Sequence, residues 1–284
     1  MSARHLLCRM TCLRSDLSNY DQLCSVLRGY GSCLVAYSGG VDSALLAVVA
    51  REVLGKRMLA AIADSPSLPR AELAEARELA FQFGFPLEVL QTQEFENVNY
   101  TSNPANRCYF CKHELFTQLR PLAVKHNMAV IAYGENASDI GDYRPGGQAA
   151  EEFEVCSPLK EANLNKDEIR IMSRQLGLPT AEKPQMPCLS SRIPYGEEVT
   201  RVKLQMIENA EKIVCNKGFR DVRVRHHEIG PCARVEVGVD ELSQMSSETW
   251  ADLETSLMGI GYKMAELDKH GYVRGNLNSG LLRR

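Results

Sequence analysis

From about Ser18 to about Leu176 the chain alternates short apolar runs with helical patterns. Cys33-Leu34-Val35-Ala36-Tyr37, Met58-Leu59-Ala60-Ala61-Ile62, Leu87-Glu88-Val89-Leu90 and Ala129-Val130-Ile131-Ala132-Tyr133 read as buried strands. Between them the spacing of apolar residues predicts helices over 42–54 and 69–83, the second opened by Pro69 in its first turn. Strands that alternate with helices argue for a doubly wound α/β architecture, a parallel sheet with helices on both faces.

The pattern then breaks. Residues 177–196 hold Pro179, Pro184, Pro187 and Pro194 and leave no stretch long enough for a helix, so this segment reads as a linker or an active-site loop. Beyond it the order changes to a helix over 199–217, strand-like runs over 222–226 and 233–239, a helix over 247–258 and a last strand near Tyr262. That order describes a second, smaller α+β domain.

Composition narrows the class. The chain has 284 residues, 44% hydrophobic and 24% charged, enough for two domains and a sizeable core. Its formal net charge of −3 means that an anion site must come from local clustering of Arg and Lys. No extended basic region or RNA-binding motif is present, which argues against a nucleic-acid partner. No apolar run reaches membrane-spanning length. Arg4, Arg9 and Arg14 without a nearby acid give the N-terminus a faint transit-peptide character, and a frayed terminus is the plainer reading. Ten cysteines without a secretory signal should be reduced, so a cytoplasmic location is expected. Cys24, Cys33, Cys215 and Cys232 are expected to be buried small hydrophobes.

The candidate chemistry starts at Ser38-Gly39-Gly40-Val41-Asp42-Ser43, directly after an apolar strand and directly before an apolar helix. Two glycines let the backbone turn tightly and aim N–H groups at an anion, and the helix N-terminus adds partial positive charge. Ser38 and Ser43 can add hydroxyl donors. No Gly-x-x-x-x-Gly-Lys-Ser/Thr pattern supplies a lysine for a transferring γ-phosphoryl group, so the loop suits a departing pyrophosphate while the α-phosphorus is attacked.

These residues resemble the PP-loop superfamily, which includes NAD synthetases, asparagine synthetases and tRNA sulfur-inserting enzymes. Four further stretches are similar to one branch, the LarE-type sulfur transferases that build the nickel-pincer nucleotide of lactate racemase. They are Ser65-Pro66-Ser67-Leu68-Pro69-Arg70; Arg107-Cys108-Tyr109-Phe110-Cys111-Lys112; Gly134-Glu135-Asn136-Ala137-Ser138-Asp139, running into Gly141-Asp142-Tyr143-Arg144-Pro145-Gly146; and Pro187-Cys188-Leu189-Ser190-Ser191-Arg192-Ile193-Pro194-Tyr195-Gly196. The likeness continues at Val222-Arg223-Val224-Arg225-His226-His227. It implies residues 1–17 as a flexible N-terminus, 18–180 as an adenine nucleotide alpha hydrolase-like PP-loop domain, 181–197 as the active-site loop and 198–284 as a substrate-orienting domain.

The resemblance also implies ATP with Mg2+ or Mn2+. The ATP site would comprise Ser38, Gly39, Gly40, Val41, Asp42 and Ser43 with Asp64, Ser65, Gly134 and Asn136, and Asp42 would direct the metal. For Asp64 a surface turn is the alternative. The expected substrate is a small-molecule nucleotide, pyridinium-3,5-dicarboxylate mononucleotide, one carboxylate of which is adenylated and becomes a thiocarboxylate. In single-cysteine members the sulfur comes from the protein, which ends as dehydroalanine, and Cys188 matches that position. Bottom-up, an acyl-adenylate carries AMP as a leaving group that a thiolate can displace. Arg192, four residues on, is expected to raise the thiolate fraction or to join the substrate-phosphate site.

Arg223 and Arg225 alternate along a strand and share a face, so two guanidiniums can clamp a phosphate, as their matches in the family do. Glu211 matches an acidic residue linked to divalent metal, with a solvated helix carboxylate as the alternative. Cys108 and Cys111 form a C-x-x-C that is compatible with half a metal site, a redox pair or two structural thiols; without a second C-x-x-C a four-cysteine zinc site is unsupported. Some family members are thought to hold an iron–sulfur cluster through three cysteines near the sacrificial position, where Cys188 here has no neighbouring cysteine in its own segment. Members form hexamers, so a homo-oligomer is expected. Three rival functions stand: an amide-forming ligase, a tRNA-thiolating enzyme with an external sulfur donor, and an ATP sensor without chemistry.

Overall fold

The computed structural model describes residues 18–139, 145–227 and 230–272. Arg4, Arg9 and Arg14, the run Gly141-Asp142-Tyr143-Arg144, and the Glu228-Ile229 pair lie outside the described residues. The chain forms two compact units, one of Met1–Ser65, Arg70–Gln93 and Cys108–Met186, the other of Pro66–Pro69, Glu94–Arg107 and Pro187–Arg284.

The first unit is α/β. Strands β1 (Cys33–Ala36), β2 (Met58–Asp64), β3 (Leu87–Gln91) and β4 (Val130–Tyr133) form one parallel sheet in the order β3-β2-β1-β4. Helices α1 (Ser18–Tyr30), α2 (Val41–Leu54), α3 (Arg70–Phe83), α4 (Arg107–Lys125), α5 (Pro145–Glu152) and α6 (Lys166–Gln175) accompany it. The chain steps outward from β1 to β2 to β3, then returns to pair β4 on the other side of β1. β1 and β4 therefore flank the point where winding reverses, the place where sheets of this class bind their ligands.

Strand periodicity sorts the core. Leu34, Ala36, Leu59 and Ala61 point to one face and pack with Phe116, Leu119, Leu122 and Ala123 of α4 and with Ala149 and Ala150 of α5. Fully burying a side chain of the Leu or Phe class contributes about 1.5–3 kcal/mol, so this face is a main source of the unit's stability. α2 buries residues on every side, from Val41 through Ala50 almost without a break, and it contacts α1 and α6 as well as the sheet. A helix apolar all round must be covered all round, which fixes its N-terminus firmly against β1.

The second unit holds β5 (Val222–His227), β6 (Cys232–Val237) and β7 (Met264–Leu267) in that order, β5–β6 antiparallel and β6–β7 parallel. Helices α7 (Arg201–Asn216) and α8 (Ser247–Gly259) cover one face, where Ala210, Val214, Leu253 and Leu257 meet Val222, Val224, Ala233, Val235 and Val237. Thr200 and Ser246 cap the two helices by accepting the N–H groups of Lys203 and Thr249. The last strand, expected near Tyr262, runs from Met264, and Tyr262 just before it is drawn into the core and lies 3.3 Å from His226 Nδ1 through its hydroxyl. The proline-rich segment holds only two short 3-10 turns, Pro179–Glu182 and Leu189–Arg192. Cys24, Cys33 and Cys232 are buried, but Cys215 is exposed. It follows Val214, and one residue turns a helix by about 100°, so it leaves the buried face. Among the described residues no helix is long and apolar enough to cross a membrane.

Glu241 closes the turn after β6. Its carboxylate is buried and accepts the backbone N–H groups of Arg220 and Asp221. Burial works to raise its pKa, but those N–H groups and the Arg220 guanidinium outweigh it and hold the carboxyl below the usual range. The ionised form therefore stabilises the fold above the unfolded-state pKa, and that contribution fades as pH falls through the lower folded-state value. Glu241→Ala should cost about 1–3 kcal/mol at neutral pH by removing the charged acceptor of two backbone N–H groups. Thermal melts should show the gap from wild type narrowing as the solution is acidified; a gap independent of pH would refute this account.

Candidate active site

Two clusters of candidate residues emerge, one in each unit. In the first, the loop after β1 turns through Gly39, whose φ of 75° favours glycine and whose Cβ would meet Ala76 Cβ at 3.1 Å. Ser43 Oγ receives the Ser38 N–H at 3.1 Å, lies 3.0 Å from Ser38 Oγ and donates to the Gly40 carbonyl at 3.1 Å. The loop is thus closed on itself, with its two hydroxyls side by side. Gly40 caps α2 without a side-chain acceptor, so no side chain covers the first-turn N–H groups of that helix.

Gly134, just past β4, is pressed against this loop: a Cβ there would stand 2.9 Å from the Ser43 backbone nitrogen and 3.1 Å from Asp42 Cβ. Buried Asn136 follows and donates to Asp42 Oδ1 at 3.4 Å, while its own Oδ1 accepts the Ser138 N–H. The loop, Gly134 and Asn136 therefore meet on the two sides of the winding reversal. Asp64 and Ser65 sit at the end of β2. Arg70 bonds both the Asp64 carboxylate and the Ser65 carbonyl, and Gln91 donates to Asp64 at 3.1 Å. Burial pushes Asp64 up, but Arg70 and Gln91 more than offset it and leave the carboxyl below its ordinary range.

Lys166, to which the sequence assigned no role, forms an ion pair with Asp42 Oδ2 at 2.6 Å. A local signal for it exists: Asn165 and Glu168 make a capping box that places Lys166 in the first turn of α6. Asp42 is partly exposed beside the loop. One carboxylate next to a phosphate-directed loop fits a Mg2+ ion, which is commonly held by one or two carboxylates plus the phosphates of its nucleotide.

The second cluster centres on Cys188, half-buried at the start of the Leu189–Arg192 turn. Its neighbours fix every side of the turn. Leu189 donates to the Ser67 carbonyl at 2.8 Å, and buried Ser190 meets the Tyr100 hydroxyl at 2.9 Å. Asn103, at a φ of 55° and fully buried, donates to the carbonyls of Ile193 and Pro194. Arg192 is 0% exposed; Nη1 donates to the Pro187 and Cys188 carbonyls, while Nε and Nη2 grip the two oxygens of Glu211.

Arg192 therefore holds the turn's backbone. The cation that reaches the sulfur is Arg107, with Nη2 4.0 Å from Cys188 Sγ, and it too went without a role in the sequence. Glu211 also accepts the Val224 N–H, so a cation there would compete with Arg192 for both oxygens. Arg223 and Arg225 extend from β5 on its non-core face. Arg223 is buried, stacks over Tyr272 at 4.7 Å and donates to the Val222 carbonyl; desolvation, then the nearby Arg192 charge, pushes its pKa down. Arg225 makes a two-pronged pair with Glu236 at 3.0 and 2.9 Å and reaches the Ser191 carbonyl.

Cys108 and Cys111 lie one turn apart at the start of α4, on one helix face. Burial pushes the neighbouring Lys112 ammonium down, against the upward pull of the Cys111 and Cys108 sulfurs, and it stands 5.8 Å over the rings of Phe116 and Tyr133. Among the described residues no group of three or more His, Cys, Asp or Glu side chains is arranged to hold a metal ion.

Gly134→Ala follows as a test of the first cluster. An added methyl must displace the Ser43 backbone, and overpacking of this kind costs about 1–3 kcal/mol, so ATP affinity should fall about tenfold or more. Calorimetric titration with ATP checks it, and unchanged affinity would mean that this contact does not shape the nucleotide site.

No protein-family model matches the chain. An uncharacterized protein of Synechocystis is 44% identical over 267 residues, which cover 94% of this chain and 98% of that protein. The pyridinium-3,5-bisthiocarboxylic acid mononucleotide synthase of Lactiplantibacillus plantarum is 29% identical over 261 residues, 91% of this chain and 93% of the synthase. One of the polypeptides of the glutamine-hydrolyzing GMP synthase of Archaeoglobus fulgidus is 28% identical over 197 residues, 65% of this chain and 64% of that polypeptide. With a glycine loop at the winding reversal of a parallel sheet, and relatives that match it nearly end to end, the chain belongs to the LarE-type branch of the PP-loop superfamily.

Proposed function

We propose that the protein is an ATP-dependent sulfur transferase that adenylates a carboxylate of pyridinium-3,5-dicarboxylate mononucleotide and converts it to a thiocarboxylate with the sulfur of Cys188. The observation that carries this reading is the held Cys188 turn, with its sulfur beside Arg107, in a chain alike over 91% of its length to a thiocarboxylate synthase.

In this reading the loop from Ser38 to Ser43, with Lys166, receives the phosphates of ATP through N–H, hydroxyl and ammonium donors. A divalent cation held by Asp42 would neutralise phosphate charge and ease departure of pyrophosphate. The substrate carboxylate displaces pyrophosphate from the α-phosphorus and becomes an acyl-adenylate. The Cys188 thiolate then attacks the acyl carbon and AMP leaves with the electrons of the broken C–O bond. Loss of the Cys188 Cα proton to a base and cleavage of Cβ–S leaves dehydroalanine on the protein and sulfur on the product. Arg223, near the Cys188 turn, is the group we assign to the substrate phosphate.

Cys108 and Cys111 support a second reading of the sulfur source. Two thiols on one helix face beside a desolvated ammonium suit uptake of sulfur from an external sulfide or persulfide, with Cys188 unchanged over many turnovers.

Peptide mass spectrometry after reaction with ATP and substrate separates the two. One thiocarboxylate per chain, with dehydroalanine at position 188, is expected; many turnovers with Cys188 intact would overturn the sacrificial route. Cys188→Ser should still release pyrophosphate and yield no thiocarboxylate. If ADP rather than AMP is the main nucleotide product, adenylation itself is wrong. Arg223→Ala should raise KM for the phosphorylated substrate about tenfold or more, the worth of a charged hydrogen bond, with ATP affinity nearly unchanged. A large loss of ATP affinity would assign Arg223 to the nucleotide.

A further inference from the structure

Arg107 opens α4 and is 4% exposed. Its Nη1 donates to Asn103 Oδ1 and to the Ser190 carbonyl, the latter at 3.0 Å, and its Nη2 stands 4.0 Å from Cys188 Sγ. Two acceptors on one nitrogen fix the plane of the guanidinium and so the direction of the other nitrogen. Asn103 is itself immobile, bonded to the Ile193 and Pro194 carbonyls on the far side of the same turn. The arginine and the turn that carries the thiol are therefore tied to each other at several points.

Two other guanidiniums beside the turn are held by carboxylates. Arg192 is met by Glu211 and also donates to the Pro187 and Cys188 carbonyls and to the Ser191 hydroxyl. Arg225 is met by Glu236 and the Ser191 carbonyl. From the remaining packed side the Tyr100 hydroxyl faces Ser190 Oγ. Arg107 is the guanidinium whose Nη2 reaches the sulfur, and a fixed cation favours the sulfur anion over the neutral thiol.

We propose that Arg107 is a further catalytic residue: it holds Cys188 as the attacking thiolate and keeps the sulfur in one orientation while the new C–S bond forms. The thiol proton passes to solvent, and the bond to AMP breaks as the C–S bond is made. This rests on Cys188 being the attacking sulfur, and its test needs no turnover.

Full-length wild type, Arg107→Gln and Arg107→Lys are treated with iodoacetamide over a range of pH, and modification of the Cys188 peptide is timed by mass spectrometry. At neutral pH Arg107→Gln should slow alkylation about tenfold, the worth of one charge-assisted contact, and should approach the wild-type rate in alkaline solution. Arg107→Lys should recover most of the loss. Equal or faster alkylation of Arg107→Gln at neutral pH would overturn the proposal, since a merely loosened turn exposes the thiol instead of quieting it. Should Arg107→Gln fail to fold, wild type alone decides: half-buried Cys188 should react faster at neutral pH than exposed Cys215, and slower reaction at every pH would refute the role. Dehydroalanine at position 188 with normal alkylation in Arg107→Gln sinks Arg107 and spares the donor assignment. The converse, slowed alkylation with Cys188 intact after many turnovers, spares Arg107 and sinks the donor.

Discussion

A guanidinium with no exposed surface organises the thiol site. Arg192 has left water entirely, and an ion so placed is tolerated only when its charge and its donors are met. Glu211 supplies the charge from α7 and the Pro187 and Cys188 carbonyls take further donors, so the turn, the helix and, through the Val224 N–H, strand β5 are tied at one point. Removing one partner of such a buried pair costs about 3–5 kcal/mol, more than the turn's local hydrogen bonds could recover. Cys188 owes its fixed backbone to a residue that never touches its sulfur.

The cluster around the Ser38–Ser43 loop is built on the opposite principle. Here the close approach of bare backbone does the positioning, and there is little charge to bury. Gly39 lets α3 come near, Gly134 lets the end of β4 touch the loop, and the serine hydroxyls bond one another and the loop itself. The result is a loop whose shape is fixed by its own hydrogen bonds and by close backbone packing.

Much of this was legible in the sequence, for identifiable reasons. Strands buried on both faces read as unbroken apolar runs, so β1 and β2 stood out, and the glycine-serine loop between strand and helix declared itself locally. The C-terminal helices followed from their periodicity, and the last strand lies near Tyr262 as expected, beginning two residues on. What stayed hidden was every contact between distant segments. Nothing local in Arg107 distinguishes it from a surface arginine, and nothing near Arg192 reveals that Glu211 neutralises it. Cys215 was misjudged because the preference of cysteine for interiors is statistical, whereas its place one step past Val214 is geometric. The pairing of Asp42 with Lys166 likewise joins the first turns of two helices that the sequence holds 124 residues apart.

That distance in sequence has a consequence for how the thiol site comes into being. The Cys188 turn is closed by residues from 67 to 107 and from 211 to 225, and the Tyr100–Ser190 bond alone spans 90 positions. The entropy of closing such loops is lost before any of these bonds can form, and long-range contacts tend to appear late on a folding pathway. We therefore expect the Cys188 turn to be among the last parts of the second unit to assemble, so that a growing or partly folded chain carries residue 188 on a backbone that nothing yet holds.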